Sequence, residues 1–593
     1  MKALRLKIDS ITPPIDNESV ILPTDLTAWI KSLPLGDALA AAEKLSFLLR
    51  QYNHSQLDPM LRFNALNTLA QSFRQIINTL SAKYQTGTFP LTPRNKQRFS
   101  ACYELISEYA IGYKIIIVEL QGKTNGNATL ELLFFNALRK AVIQLSRLLL
   151  ECYIAYADEP QDIWADLNQI YGIAEKFGVH NLVLGQQEKK QLSMQTIQHA
   201  YLQIALLATS NPYQLMQNEA RPLYIQLKDW AKGCRVVGRE TNPVINNETV
   251  VTDLNSHNSP CFYHDELALD PDGLRIVDIT DLRQLVKVEL QTLTTQYNAA
   301  PQLASFSHRM RMEMLKRLCE IWKTRQQRKL HRNSSSERLT IVTGLSSVHF
   351  TLDCQKEFLP ERDELHLQKG NDKTSGLSLV PSDYEPWKAD ELDNLIATGI
   401  YNTRVSDFDL EHDIWKKLGT SELEAGSHRN TVVHQTQPHT WTVFNFSDDG
   451  LGLRSPPDPD IKLGVGDIAS WNYENNSEDC CLGVIRWQKA SQNGDIEVGL
   501  RKLKGKPQPV AVRAVQGTGS GSEYFRALLF QRNDPRNDQQ TIIVPANIYH
   551  CGTEILVNSG VQLFYLKLEN LLHTTNIFSE FQVSEIEQMS TSL

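Results

Sequence analysis

The sequence predicts a multidomain α plus β protein: an N-terminal all-α helical bundle or solenoid-like domain, then a C-terminal antiparallel β-barrel with a β extension. Three observations predict it. The chain has 593 residues, too many for one hydrophobic core. Apolar residues recur at helical spacing up to about residue 233. From Trp441 onward, short runs of branched and aromatic residues alternate with Gly, Asp and Asn turns, the pattern of a small antiparallel barrel.

Composition narrows the class. Hydrophobic residues make up 41% and charged residues 22%, ordinary for soluble globular protein. A formal net charge of -8 argues against a chain built to bind nucleic acid. The stretch from Met1 to Ile8 lacks the apolar core of a signal peptide. Leu130 to Tyr156 is apolar but carries Arg139, Lys140 and Arg147 at its middle, so it reads as a buried helix, and no membrane span is expected. Nine cysteines without CxxC pairs suit a reduced, cytoplasmic compartment, with one of the adjacent Cys480 and Cys481 facing the core.

In chain order, residues 1–23 form an extended leader and 24–233 a helical domain. Asp58-Pro59 supplies a cap and a first-turn proline, after which Leu66, Leu69, Phe73, Ile76 and Leu80 mark one helix face. Further helices are expected over 95–117, 129–156, 160–177, 190–208 and 212–231, the last kinked at Pro222. Short loops make consecutive helices antiparallel neighbours. Trp164, Leu167, Tyr171 and Ala174 echo part of a tetratricopeptide repeat. Asn168 stands where that repeat has Gly and no second copy follows, so one core face with Gly178 as C-cap is the better account.

Residues 234–278 read as a small strand-rich insert, with branched runs at Arg235–Val237, Thr249–Thr252 and Leu274–Val277. Residues 279–332 hold two helices and a basic linker. Between Arg309 and Arg338 ten Lys and Arg face three Glu, a balance of +7, and anions should gather there. Leu339 to Gly344 reads as a strand that continues through Val348 to Leu352, so 333–354 and 437–506 make up the barrel. The interval 355–436 is an acidic insertion, solvated or partly disordered, with fourteen acidic against six basic residues between Gln355 and Trp415. Residues 507–593 hold more strands, as a second β domain or an extension of the first sheet.

The motif that carries function is Asn445-x-Ser447-x-x-Gly450, read as a polar corner between two strands. Gly464-x-Gly466-Asp467, Val484-Ile485-Arg486-Trp487 and Val498-Gly499 follow it. Together these resemble the PilZ domain family, with the resemblance confined to the C-terminal part. Members are β-barrels, and many bind the second messenger cyclic di-GMP. Their signature joins Asn or Asp-x-Ser-x-x-Gly to an upstream Arg-x-x-x-Arg. Here no such pair directly precedes Trp441, where Arg429 stands alone as the reserve candidate. The spacing does occur far upstream at Arg328 and Arg332, inside the basic linker.

The resemblance implies a ligand site of Arg328, Arg332, Asn445, Ser447 and Gly450, and residue chemistry suits it. Arginine pairs bidentately with phosphate, bonds the guanine edge or stacks on the base. Asn445 and Ser447 add short polar groups, and Gly450 permits a tight corner where backbone approaches ligand.

No enzymatic signature is present: no P-loop, no His-Glu-x-x-His and no Gly-x-Ser-x-Gly. Cys261-Phe262-Tyr263-His264 has too few partners for zinc, and Gly517–Ser522 reads as a linker. The expected protein is a cytoplasmic, non-enzymatic cyclic di-GMP effector, without metal or cofactor, whose helical domain engages a protein partner. The alternative is a scaffold whose degenerate barrel binds no nucleotide.

Overall fold

The computed structural model describes residues 6, 25–124, 126–183, 196–238, 245–324, 333–371, 439–458, 461–473, 476–491, 494–515, 523–531 and 540–586. The expected leader (apart from Leu6), Arg328, Arg332, Arg429, most of the acidic insertion and the Gly517–Ser522 linker lie outside them. The described residues form two compact units.

The first unit begins with eight helices: α1 (Leu26–Lys31), α2 (Ala38–His54), α3 (Pro59–Gln85), α4 (Pro93–Leu120), α5 (Ala128–Ile154), α6 (Ile163–Lys176), α7 (Ile197–Thr209) and α8 (Ala220–Trp230). Side-chain caps start five of them: Asp37, Asp58, Thr92, Asn127 and Thr196 each accept backbone N–H bonds from the first turn. The expected face of α3 is buried as read, from Leu66 to Leu80. The apolar run with three central cations is the packed helix α5. Gly178 ends α6 in the left-handed region at φ 68°, with Val179 N–H returning to the Ala174 carbonyl. Pro222 does not kink a helix. It stands in the first turn of α8, where proline leaves no helical hydrogen bond unmade.

A buried ionic network ties α3, α5 and α8. Glu151, 0% exposed, accepts from Ser81 Oγ at 2.6 Å, Tyr84 OH at 2.6 Å and Arg221 Nη2 at 2.8 Å. Burial pushes its carboxyl up, but Arg221 and the two hydroxyls outweigh that and hold it below the usual carboxylate range.

After α8 the chain forms a four-stranded antiparallel sheet of β1 (Arg235–Gly238), β2 (Val250–Asp253), β3 (Cys261–Phe262) and β4 (Leu274–Asp278), in the order β1-β4-β2-β3. Asn168 on α6 explains how this sheet is held. Its Nδ2 donates to the carbonyls of Asp253, Ser256 and Asn258 at 3.2, 3.0 and 3.3 Å, and its Oδ1 accepts from Tyr201. The residue that breaks the repeat pattern is therefore a buried polar bracket.

Helices α9 (Thr280–Ala299) and α10 (Phe306–Lys323) follow, then β5 (Asn333–Ser334) and β6 (Arg338–Thr343). Next come α11 (Leu345–Leu352) and α12 (Pro360–Asn371), and then β7 (His439–Ser447), β8 (Gly450–Ser455), β9 (Ile468–Tyr473), β10 (Asn476–Ala490) and β11 (Ile496–Lys502). Strands β6 to β11 close a six-stranded antiparallel barrel: β7-β6-β9-β10-β11-β8, returning to β7. Leu339 pairs with Trp441 across the long interval between them. The interior holds Leu339, Ile341, Trp441, Val443, Leu453, Trp471, Ile485 and Val498, all at most 2% exposed.

The strand expected to run on through Val348–Leu352 is instead helix α11. Gly344, at φ 91°, turns the chain out of β6, and Leu345, Val348 and His349 are buried at helical spacing. Part of the expected acidic insertion is likewise helix α12.

The second unit takes α11, α12 and six further strands: β12 (Lys506–Ala514), β13 (Phe525–Gln531), β14 (Thr541–Pro545), β15 (Glu554–Asn558), β16 (Leu563–Thr574) and β17 (Phe578–Glu585). They form a closed barrel of their own in the order β12-β13-β14-β17-β16-β15. Its core packs Val512, Leu529, Ile542, Ile555, Leu566 and Phe581. Of the two readings open for these strands, the second β domain is the one found.

Candidate functional site

The Asn445 motif sits on the β7–β8 hairpin. Trp441 and Val443 point inward, and then a bulge between Val443 and Asn445 sets both Phe444 and Asn445 against the single residue Gly452. Strand pairing continues to Ser447, which faces Gly450, so the turn itself is only Asp448 and Asp449. The expected corner from Asn445 to Gly450 is thus mostly paired strand. Gly450 is needed for a different reason from the one expected: a Cβ there would lie 2.5 Å from the Leu500 carbonyl oxygen of β11.

Antiparallel register then maps the outer face. Leu451, Leu453, Val498 and Leu500 are at most 4% exposed, so the residues alternating with them face outward. One row runs Ser447–Gly450–Arg501. The next runs Asn445–Gly452–Gly499–Trp487. The third runs Thr442–Arg454–Glu497–Lys489.

The two central glycines make room for their neighbours. A Cβ on Gly452 would come within 2.6 Å of Asn445 Oδ1 and 2.7 Å of the tip of the Phe444 ring. A Cβ on Gly499 would run into the indole of Trp487. Two aromatic rings and an amide therefore lie against bare backbone, a flat surface of the kind on which a planar base stacks.

Charge on this face is uneven. Arg454 is held by Glu497, Nη2 to Oε1 at 2.6 Å, and lies 5.5 Å from the Phe444 ring centre. Lys489 pairs with Asp158 at 2.5 Å. At the other end burial pushes Arg486 down to about 10, with Arg501 and Arg317 adding repulsion.

The first described strand after α10 pairs beside the motif. β5 pairs with β7, Asn333 opposite Phe446 and Ser334 opposite Asn445. Of the expected site residues, the structure brings together Asn445, Ser447 and Gly450. It does not describe Arg328, Arg332 or Arg429. Arg454 and Arg501 went unread in the sequence. Their signal was there, since Arg454 lies between the buried Leu453 and Ser455 and Arg501 follows the buried Leu500, but only register shows that both stand on the face of Asn445.

The same barrel is bonded to the helical region within the first unit. Ala490 N–H donates to the Tyr156 carbonyl and Leu463 N–H to the Phe89 carbonyl, both at 2.8 Å. Arg317 on α10 pairs with the buried Glu219 at 2.5 Å and bonds the Gln214 carbonyl at 3.3 Å. Tyr156, Asn211 and Asn218, in these docking loops, all adopt positive φ.

Among the described residues no group of three or more His, Cys, Asp or Glu is placed to hold a metal ion. Among them, too, no helix is long and apolar enough to cross a membrane.

Comparison with known proteins follows the same divisions. Residues 24–240 match the family model described as the N-terminal domain of the cyclic-di-GMP receptor FimW. Residues 250–509 match its middle PilZ domain, and 510–586 its C-terminal β-barrel domain. The cyclic-di-GMP receptor FimW of Pseudomonas aeruginosa is 21% identical over 586 residues, covering 96% of this chain and 91% of that protein. No solved structure matches at a significant level. The PilZ resemblance is thus in the middle of the chain and takes in β2–β4 of the small sheet and α9–α10, not the C-terminal part alone. The chain is therefore similar, in order, to the three FimW domains: a helical domain, a PilZ domain and a second β-barrel.

Proposed function

We propose that this protein is a cytoplasmic, non-enzymatic effector of cyclic di-GMP, with Arg328, Arg332, Asn445, Ser447 and Gly450 as its ligand-binding residues. One observation supports the choice of the upstream arginines. Asn333, the residue after Arg332 in the chain, is strand-paired with Phe446. Consecutive Cα atoms are about 3.8 Å apart and paired strands about 5 Å. Peptide linkage to Asn333 supports a role for Arg332 at the same hairpin as Asn445, although more than a hundred positions separate them in sequence. The likeness to a cyclic-di-GMP receptor over nearly the whole chain supports the ligand class. The nine cysteines carry no CxxC spacing, which supports a reducing compartment.

On this reading the two arginines close over the outer face, clamp the phosphates and leave the guanines to Asn445 and the aromatic rings. The helical domain hands the signal to a protein partner. Exposed apolar side chains at the end of α6, with Phe177 44% and Leu182 and Val183 each 51% exposed, support such a surface. Because the barrel is bonded to the helical domain, binding acts through the docking loops and α10, not by swinging the two domains apart.

Titration calorimetry decides the reading. Wild type should bind cyclic di-GMP, and Arg328→Ala with Arg332→Ala should weaken binding by roughly a hundredfold or more. Ser447→Ala should weaken it by a smaller factor. Unchanged affinity in the double variant removes the clamp, and absence of binding to wild type leaves the scaffold alternative.

A further inference from the structure

At the hairpin end of the outer face, next to the Asp448–Asp449 turn, two arginines make no ion pair among the described residues. Arg501 is exposed on β11, directly across from Gly450 and one position further from Ser447. Arg486 sits at a bulge of β10, where it and Trp487 together face Gly499. Arg454, Lys489 and Arg317 each have a carboxylate partner. Among the described residues no carboxylate lies within ion-pair distance of Arg486 or Arg501. Glu313 on α10 is the acid nearest in influence to Arg486, and it already pairs with Lys316 at 3.7 Å.

Two arginines from adjacent strands thus repel each other beside the Ser447–Gly450 turn, and an anion would relieve both. Guanidinium groups favour phosphate oxygens in such a position because their fixed fork can take two oxygens at once. The opposite end of the face offers no comparable charge, since Glu497 occupies Arg454.

We propose that Arg501 and Arg486 form a second arginine pair that receives a phosphodiester of the bound nucleotide, fixing its phosphates toward the hairpin end and its bases over the Gly452–Gly499 row. This rests on the reading of the face as a nucleotide site, but it adds residues outside the family signature and assigns an orientation.

The test uses the full chain. Arg501→Gln, at an exposed position, should weaken cyclic di-GMP binding by roughly 10- to 100-fold and flatten the dependence of affinity on salt, as loss of a phosphate contact does. Arg486→Gln should do the same, with its melting temperature measured alongside because this side chain is half buried. If Arg501→Gln binds within twofold of wild type at both low and high salt, the proposal is overturned while the effector reading stands. If wild type binds no cyclic di-GMP, the effector reading fails and inorganic pyrophosphate becomes the probe. A pyrophosphate-induced rise in melting temperature that Arg501→Gln abolishes would then sustain the anion site, and no rise in wild type would overturn it.

Discussion

Gly452 shows how much of the site depends on a missing atom. Phe444 and Asn445 share it as cross-strand partner, and Asn445 Oδ1 occupies the space a Cβ would need. Gly452→Ala should displace the amide, cost about 1–3 kcal/mol of stability through overpacking, and reduce cyclic di-GMP affinity roughly tenfold if Asn445 bonds a guanine edge. Calorimetry and chemical denaturation on the same variant separate the two effects. Full affinity in a destabilised variant would show that Asn445 is not a ligand contact. At this scale the sequence marked Asn445, Ser447 and Gly450 but misassigned the reason for Gly450. A glycine looks alike in sequence whether a turn or a neighbouring strand requires it, and the neighbour here is Leu500, fifty positions on.

Helices α11 and α12 show what pattern reading loses when composition and period disagree. Val348, Phe350 and Thr351 favour a strand by type, yet Leu345, Val348 and His349 are spaced for a helix, and the helix forms. In the second unit the segment is held by His349 Nε2, 3.1 Å from the Val510 carbonyl, by Glu364 to Arg513 at 3.0 Å, and by Asn558 to the Pro360 carbonyl at 3.0 Å. Burial, with the nearby Arg526, pushes His349 down to about 4, so the folded protein keeps it neutral. Phe358 packs against its ring, and Asp353 faces Arg526.

Below the usual histidine value of about 6.5 the unfolded chain takes a proton that the folded chain refuses. Stability is therefore full above that pH and declines as pH falls toward 4, by up to about 3 kcal/mol. Thermal melts at pH 7 and pH 4.5 should show a larger drop for wild type than for His349→Gln, whose amide can still donate to Val510. An equal drop in both would rule out His349 as the cause.

For the whole molecule, the telling result is that the helical domain and the middle barrel form one unit. The bonds from Ala490, Leu463 and Arg317 reach loops around Tyr156, Phe89 and Glu219, and residues with positive φ cluster in those loops, as at sites that store strain. β10 carries Trp487 on the candidate ligand face and, three residues later, Ala490 on the helical domain. Cyclic di-GMP should therefore slow hydrogen exchange in β5 and the β7–β8 hairpin and also in residues 211–219. Protection confined to the hairpin would mean the docking loops take no part in the response.

The sequence by itself determined the helical domain, its caps at Asp58 and Gly178, most of the barrel strands and the polar half of the candidate site. Each of these is written in local periodicity or in a short motif. Tertiary structure decided which strands close on which, that the last six form their own barrel, and that Asn333 pairs with Phe446. It also decided that Arg501 and Trp487 share a face with Asn445. Those facts depend on hydrogen-bond register between segments far apart in the chain, and a one-residue slip of register, invisible in composition, would turn every one of these side chains to the other side of the sheet.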